Sequence, residues 1–547
     1  MRTDAGFVSS LKACAEKKDL LTGNKLHVDI IRHGLIQKPY LASSLISMYA
    51  KCGIISKAQQ IHDEFQARNV VTWNAMITGY ARHGQALEAL NCYGRMKNEG
   101  IFPNHVTFIC ILKACGIIGA IDKGKQIHSK VVISIKDSME KDLVIIGSAL
   151  VDMYVKCGLI AIAQKVHNDL RVRNVVTWSI LIAGYVQQGK GHEALNSYEK
   201  MRSEGILPDA ITFTCILKAC GNIGDAHGGR LVHGIAIETG VSTDTLLGST
   251  IVGFYIKSGF LDESRKVFDG ITRRDALLWG VIIAGYVQHG FCLAAIGLYI
   301  KMLGENVVPN EVIFAHTLKA CAGMGATKEG KLIHSQIFES NLESDLLVGN
   351  SIIEVYVRFG LMDEAFKVFE KLSFRDVLSW STIIEGCALH GEYLLVHQFL
   401  QELQRQGLKP DEYVLTHMLT ACVQAGDPDE GIHYFKYMRE YYGVEPNSEH
   451  YSCMVDLLGR AGHLHDAKDL LYSIPYHSPF IMWTSLLTSC RAHGNPQIGM
   501  QCFDNMMQLE PFDPSGHMLI SNLLVEAGYQ NVFDGIQIIE TAKLAAM

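Results

Sequence analysis

The chain has no uninterrupted apolar run long enough to span a bilayer, although 48% of its 547 residues are hydrophobic, which argues against a transmembrane helix. It has no surplus of positive charge. Lys and Arg number 49 against 56 Asp and Glu, a net −7, so the bulk charge does not advertise a nucleic-acid partner and only a local basic groove could serve one. No two of its fifteen cysteines stand three apart, which leaves out the Cys-x-x-Cys half of the common zinc sites. The start lacks a secretory signal, and the cysteines are scattered along a long chain, so they read as reduced, mostly buried small hydrophobes. The opening "MRTDAGFVSSLKAC" runs at once into a segment that recurs later, leaving no room for an Arg- and Ser-rich transit peptide. Either the protein stays where it is made, or the chain begins inside a longer gene product.

What the chain does have is a period. Trp73, Trp178, Trp279, Trp380 and Trp483 are its only tryptophans, at intervals of 105, 101, 101 and 103. Pro103, Pro208, Pro309 and Pro410 follow with 105, 101 and 101. The string "LKAC" at 11–14, 112–115, 217–220 and 318–321, then "LTAC" at 419–422, keeps the same step. Three markers sharing one period make an internal repeat. Each period divides into sub-units of 35, 35 and 31 residues, for example 174–208, 209–243 and 244–274. The four extra residues of the first interval fall around 134–144 and are expected to form a loop insertion.

Each sub-unit reads as two helices. Trp73, Met76, Ile77 and Tyr80 fall at i, i+3, i+4 and i+7, one helical face. "HGQ" at 83–85 breaks the pattern, Ala89, Leu90, Tyr93 and Met96 resume it, and "NEGIFPN" at 98–104 supplies a Gly stop with Pro just beyond. A lone helical hairpin cannot bury its apolar face, whereas stacked hairpins can, so the expected fold is all-α: an α-solenoid superhelix of helix-turn-helix units. Tetratricopeptide arrays step by about 34 residues and HEAT or armadillo arrays by roughly 40–47. A 35, 35, 31 cycle fits neither.

The cycle resembles the plant-type pentatricopeptide repeat (PPR) proteins built from P, L and S motifs. Residues 70–104, "VVTWNAMITGYARHGQALEALNCYGRMKNEGIFPN", resemble the P motif, 213–240 the L motif and 148–170 the S motif. The match runs from residue 4 to about 478. Beyond it, "PNSEHYSCMVDLLGRAGHLHDAKDLL" (446–471), "MWTSLLTSCRAHGN" (482–495) and "LISNLLVEAGY" (519–529) resemble the last S-type motif and two E motifs, the second breaking off at "TAKLAAM". The resemblance divides the chain into a repeat array of about fourteen hairpins at 1–478 and a truncated pair of E motifs at 479–547, sixteen hairpins in all. The array starts in mid-triplet, which again suggests a missing N-terminal portion.

The resemblance implies sequence-specific binding of single-stranded RNA, one base per hairpin. Two residues would read each base: one just after the aromatic position of the first helix, and one at the junction with the next repeat. In the P motifs these are Asn74 with Asn104, Ser179 with Asp209, Gly280 with Asn310, and Ser381 with Asp411. In the S motifs they are Ser43 with Asn69, Ser148 with Asn174, Ser249 with Asp275, and Asn350 with Asp376. The first residue of each pair is expected to face the groove. Guanine and uracil present a ring N–H that an acceptor-only Asp suits, whereas adenine and cytosine present a bare ring nitrogen to which the Asn amide donates. Val71, Val176, Leu277 and Leu378, three positions before the P-motif readers, can pack on the base face. By analogy the bases run 5′ to 3′ as A, C or U, any, A, G, any, G, undetermined, any, U, G. Gly280 has no side chain to read with, and the L-motif residues Ile109, Thr214 and Ala315 are poor readers. A well-matched base is worth ~1–3 kcal/mol, and ordering the RNA and the solenoid offsets much of the total.

Some signals belong to the repeat itself. "HDE" at 62–64 matches half of a zinc-deaminase motif, but other copies read "FDG" (268–270) and "FEK" (369–371) there, which makes His62 a second-helix packing residue. "GAIDKGKQ" (119–126) and "GATKEGKL" (325–332) match G-x-x-x-x-G-K without the Ser or Thr that holds Mg²⁺, and the repeat carries "GDAHGGRL" (224–231) in the same place. His27, His128, His233 and His334 recur once per period, too far apart to share a metal. The sequence therefore predicts no enzyme, no cofactor and no membrane association. It predicts a specificity factor that grips organellar RNA, in mitochondrion or chloroplast, and whose E motifs dock a deaminase acting in trans on a nearby cytidine. A protein-binding scaffold, or a splicing or stabilising factor, is the alternative.

Overall fold

The structure, a computed structural model, describes residues 4–134, 140–241, 245–475, 479–510 and 514–528. Among them are 31 α-helices, one π-helical turn and no strand. The helices pair into fifteen hairpins, from Asp4–Lys17 with Leu20–Arg32 to Phe480–Ala492 with Pro496–Leu509, followed by the single helix Pro514–Glu526. The chain forms two compact units, Met1–Leu278 and Trp279–Met547, and each is an α-solenoid of stacked hairpins. "TAKLAAM", the end of the second E-like segment, lies outside the described residues.

The sub-unit beginning at Asn174 shows why these residues make this unit. Its helices are Val175–Gln187 and Gly191–Ser203. Asn174 caps the first: its Oδ1 accepts the Thr177 N–H at 3.0 Å, while the Thr177 hydroxyl accepts the Asn174 N–H at 3.1 Å. This reciprocal cap satisfies donors that the first helical turn leaves open. The helix buries Trp178, Leu181, Ile182 and Tyr185, the i, i+3, i+4, i+7 stripe. Each buried Leu or Ile contributes roughly 1.5–3 kcal/mol relative to exposure. The stripe joins a continuous core running from Trp73 to Tyr255 within the first unit. First helices pack on first helices, Pro39–Lys51 on Val70–Arg82 and His105–Ile118 on Glu140–Lys156, so each hairpin covers its neighbour's apolar face.

The nucleotide-like glycine motifs resolve into turn and packing chemistry. Gly119 ends helix His105–Ile118 at φ 67°, the left-handed stop that a side chain disfavours. Gly124, five residues on, lies where an added Cβ would stand 2.6 Å from the Met153 Sδ. The two glycines are thus a helix stop and a close approach between neighbouring hairpins.

The extra residues of the first interval are not all loop. Helix Glu140–Lys156 has 17 residues where the matching Leu346–Arg358 has 13, so the insertion prolongs that helix at its N-terminus, and residues 135–139 lie outside the described residues. A second irregularity follows Asp411, whose sub-unit is one residue longer than its counterparts. The surplus residue is absorbed in the π-helical turn Met438–Tyr442 at the end of helix Pro428–Tyr437, the usual way a helix takes an insertion.

Candidate nucleic-acid interface

All eight junction residues precede a first helix, and capping explains their chemistry. Asn69, Asn104, Asn174, Asp209, Asn310, Asp376 and Asp411 are N-caps whose side chain accepts the backbone N–H three residues on. Asp275 accepts the Leu278 N–H at 2.9 Å. Asn and Asp are favoured at helix N-caps in any protein, so their recurrence follows from the scaffold whether or not RNA is read. Capping also orients them. The inner oxygen is held by the helix, and the Asn Nδ2 or Asp Oδ2 turns away from it.

The first residues of the pairs lie deeper than expected. Asn74, Ser179, Ser249, Asn350 and Ser381 are buried, at 5–8% exposure, and form the floor between adjacent first helices instead of projecting from it. Three pairs stand within hydrogen-bond distance. Asn74 Nδ2 donates to Asn104 Oδ1 at 3.0 Å and Asn350 Nδ2 to Asp376 Oδ1 at 3.2 Å, while the Ser179 hydroxyl, 3.4 Å from Asp209 Oδ1, has the Val175 carbonyl as a nearer acceptor at 2.7 Å. Burial alone would raise the Asp376 pKa, but bonds from the Ser379 N–H, the Ser379 hydroxyl and Asn350 together hold its carboxyl below the usual carboxylate range. Ser43 and Ser148 donate instead to the carbonyls of Tyr40 and Val144. Gly280 has room for a side chain: an added Cβ would meet the Ile313 Cγ1 at 3.5 Å, an ordinary contact.

The four apolar partners are exposed, Val71 at 55%, Val176 at 48%, Leu277 at 56% and Leu378 at 58%. The same helical position carries exposed Ile211, Val312 and Leu347, so the large apolar side chain recurs in the other sub-units of the cycle too. Between Val176 and Ile211 opens a cleft of about 290 Å³, with Ser179 and Asp209 on its floor and Lys156 at its rim. A comparable cleft of about 310 Å³ has Ser43, Val71 and Asn74 in its wall, with Lys12, Lys51 and Arg82 beside them.

These basic residues were missed in the sequence, although the lysine of one repeat marker is among them. Lys12, Lys113, Lys218 and Lys319 are the Lys of "LKAC", and Lys51 and Lys156 that of "KCG". Lys12, Lys113, Lys156, Lys218 and Lys319 are exposed. A chain of net charge −7 therefore still sets basic side chains beside the candidate reading positions, Lys156 among them paired with Asp152 at 2.8 Å.

The tryptophans are scaffold, with none of the five above 4% exposure. Trp73 and Trp178 donate Nε1–H to Glu99 and Glu204 at 3.3 Å, and those carboxylates pair with Arg68 and Arg173. The periodic histidines and tyrosines are one feature: His27, His128, His233 and His334 place Nδ1 within 2.7–3.0 Å of the hydroxyls of Tyr49, Tyr154, Tyr255 and Tyr356. Among the described residues no cluster of three His, Cys, Asp or Glu side chains could hold a metal, and no helix is long and apolar enough to cross a membrane.

The comparisons with known proteins agree with this architecture. The PPR repeat family matches residues 68–116 and 173–222, the pentatricopeptide repeat domain 398–461, and the PPR repeat six further segments from 41–70 to 481–510. The last of these overlaps the E-like segment. A putative pentatricopeptide repeat-containing protein of Arabidopsis thaliana is 34% identical over 96% of this chain and 76% of its own. Another from that plant, named as mitochondrial, is 32% identical over 96% of this chain and 76% of its own, and one named as chloroplastic is 29% identical over 94% and 63%. Among solved structures, the maize pentatricopeptide repeat protein PPR10 superposes with a TM-score of 0.65 over 99% of this chain and 95% of that chain, at 14% identity. The same protein in complex with an 18-nucleotide psaJ RNA element gives 0.63 over 97% and 83%, at 13% identity. Repeat length, hairpin geometry and a 34%-identical relative matched over 96% of the chain lead to one conclusion: the chain belongs to the pentatricopeptide repeat family.

Proposed function

We propose that the protein binds single-stranded RNA sequence-specifically, reading one base at each P and S hairpin. The observation that carries this is the cleft between Val176 and Ile211. Two exposed aliphatic side chains flank a polar floor of Ser179 and Asp209, which offers a planar base two apolar faces and a hydrogen-bonding edge, with Lys156 beside it in an ion pair to Asp152 at 2.8 Å. The maize relative of the same fold, solved with an RNA element, supports the reading. Readers pair as Ser43/Asn69, Asn74/Asn104, Ser148/Asn174, Ser179/Asp209, Ser249/Asp275, Gly280/Asn310, Asn350/Asp376 and Ser381/Asp411.

The finer assignment is a PLS-type editing factor of an organelle. Its array would occupy 1–478, and its E motifs at 479–547 would recruit a deaminase in trans to a cytidine just 3′ of the bound stretch, with no catalysis by the chain itself. Relatives named as mitochondrial and chloroplastic support the compartment. A protein-binding scaffold remains the second reading, because capping alone accounts for the junction Asn and Asp residues. A gel shift separates the two: RNA carrying the expected bases should bind more tightly than RNA with A and G exchanged at the readable sites. Equal affinity would remove the base-reading assignment.

A further inference from the structure

A third side chain stands within each joined pair. Thr107, three residues past Asn104, donates its hydroxyl proton to Asn74 Oδ1 at 2.7 Å and accepts the Asn104 N–H at 3.1 Å. Asn74 Nδ2 then donates to Asn104 Oδ1 at 3.0 Å, and that oxygen also takes the Thr107 N–H at 3.1 Å. A hydroxyl has one proton and a carbonyl oxygen two lone pairs, so the network runs in one direction and turns both Nδ2 protons of Asn104 outward. Ser379 stands in the same place, its hydroxyl 2.7 Å from Asn350 Oδ1 and 2.8 Å from Asp376 Oδ1, with one proton to share between reader and junction. Thr212 donates to Asp209 Oδ1 at 2.7 Å, leaving Oδ2 as the outward acceptor, and its oxygen lies 2.8 Å from the Ser179 hydroxyl, whose single proton has this oxygen and the Val175 carbonyl at 2.7 Å as its near acceptors.

Other junctions lack the hydroxyl. Leu278, Ile313 and Val414 occupy the same place and give Asp275, Asn310 and Asp411 only a backbone N–H, at 2.9, 3.0 and 2.9 Å. Thr72 and Thr177 spend their protons on the carbonyls of Asn69 and Asn174, both at 2.9 Å, and leave the reading side chains alone. A carboxyl or amide anchored at one atom swings about a broad, soft terminal torsion. Anchored at the reader as well, it does not.

We propose that the hydroxyl of Thr107, Thr212 and Ser379 is a positioning residue for base selection, fixing which donor or acceptor each pair presents. Hairpins that carry Leu278, Ile313 or Val414 there discriminate less. The inference rests on the base-reading assignment above, and the test keeps the two apart. The full chain is titrated with RNAs differing only in the base opposite Ser179/Asp209, as wild type, Thr212→Val and Thr212→Ser, with unfolding temperatures measured alongside. Thr212→Val should lose roughly fivefold of the guanine-over-adenine preference, the worth of one ordinary hydrogen bond, and Thr212→Ser should restore it. Val414→Thr, which removes no existing bond, should sharpen selection opposite Ser381/Asp411 by a similar factor, and it carries the test if Thr212→Val does not fold. A wild type without preference overturns the base-reading assignment and this inference with it. A wild-type preference that Thr212→Val keeps, or a Val414→Thr protein that gains none, overturns the hydroxyl's role alone.

Discussion

His62 stands edge-on to Trp73 with ring centroids 4.3 Å apart, and His167 holds the same position against Trp178 at the same distance. Both imidazoles are fully buried. Burial first, and then the nearby Arg68 or Arg173, pushes each pKa down to about 4. The Asp63 carboxylate, 3.7 Å from His62 Nδ1, is beyond hydrogen-bond reach. An unfolded His titrates near 6.5, so between about 4 and 6.5 the unfolded chain binds more protons than the folded one. Stability is constant above that window and falls as pH drops through it, by up to roughly 3 kcal/mol per residue at about 1.4 kcal/mol per pKa unit. Phe369 makes the corresponding contact with Trp380 at 4.8 Å, so the double variant His62→Phe, His167→Phe should keep its thermal midpoint better than wild type between pH 7 and pH 5. Equal losses in both proteins would contradict this.

Asp209→Asn separates the two duties of a junction residue. Asn caps a helix about as well as Asp, so the unfolding midpoint should hardly move. The outward atom changes from the Oδ2 acceptor to an Nδ2 donor, and base preference at that hairpin should move from guanine toward adenine. Asp209→Ala should instead cost about 1 kcal/mol of stability and abolish selection there. A preference that survives Asp209→Asn would show that Asp209 serves the helix alone.

Val176 and Ile211 are exposed at 48% and 58%, so trimming both to Ala should leave stability within about 0.5 kcal/mol. RNA affinity should fall by ~1–3 kcal/mol, equally for preferred and exchanged sequences, because an apolar face packs on any base. Binding curves for two RNAs, set beside a melting curve, check both halves.

How much of this was legible depended on whether a residue's signal was periodic or chemical. The hairpin boundaries could be read because the N-cap Asn or Asp, the Trp stripe and the glycine stop each recur at one phase, and capping and burial demand those residue types. The depth of Asn74 and Ser179 could not be read, since helical phase places a side chain on a face without saying how closely the next hairpin covers it. The bond between His233 and Tyr255 escaped for a similar reason: both were seen to be periodic, but their pairing depends on how two hairpins abut. Thr107 and Thr212 sit three residues past a helix N-cap, where nothing in the sequence sets them apart, and only their distances to Asn74 and Ser179 mark a second contact.

The lysines beside the clefts predict how binding responds to salt. Single-stranded RNA releases counterions in proportion to the phosphates neutralised, with a slope of about −0.7 per contact. Replacing Lys12, Lys51 and Arg82, which line one cleft, by Gln should weaken binding to all sequences alike. It should also make the plot of log affinity against log salt shallower by about 2, three contacts at that slope. An unchanged slope would mean that the phosphates run elsewhere.

Gly280→Ser tests the Trp279 hairpin, whose proposed reader has no side chain. The new Cβ would meet Ile313 Cγ1 at 3.5 Å and Cδ1 at 4.0 Å, ordinary contact, so nothing need move. Replacing a glycine inside helix Ala276–Gln288 removes a backbone-entropy cost, for a gain of up to roughly 0.5 kcal/mol once the weaker propensity of Ser is allowed for. The pair then becomes Ser with Asn310, the combination present at Ser43/Asn69, and the undetermined position should acquire a preference for adenine. Ile313 supplies no hydroxyl to lock Asn310, so the gain should be small by itself and grow when Ile313→Thr is added. Titration of the single and double variants with RNAs carrying each of the four bases at that site measures both steps, and a flat response to all four bases in the double variant would refute the reading of this hairpin.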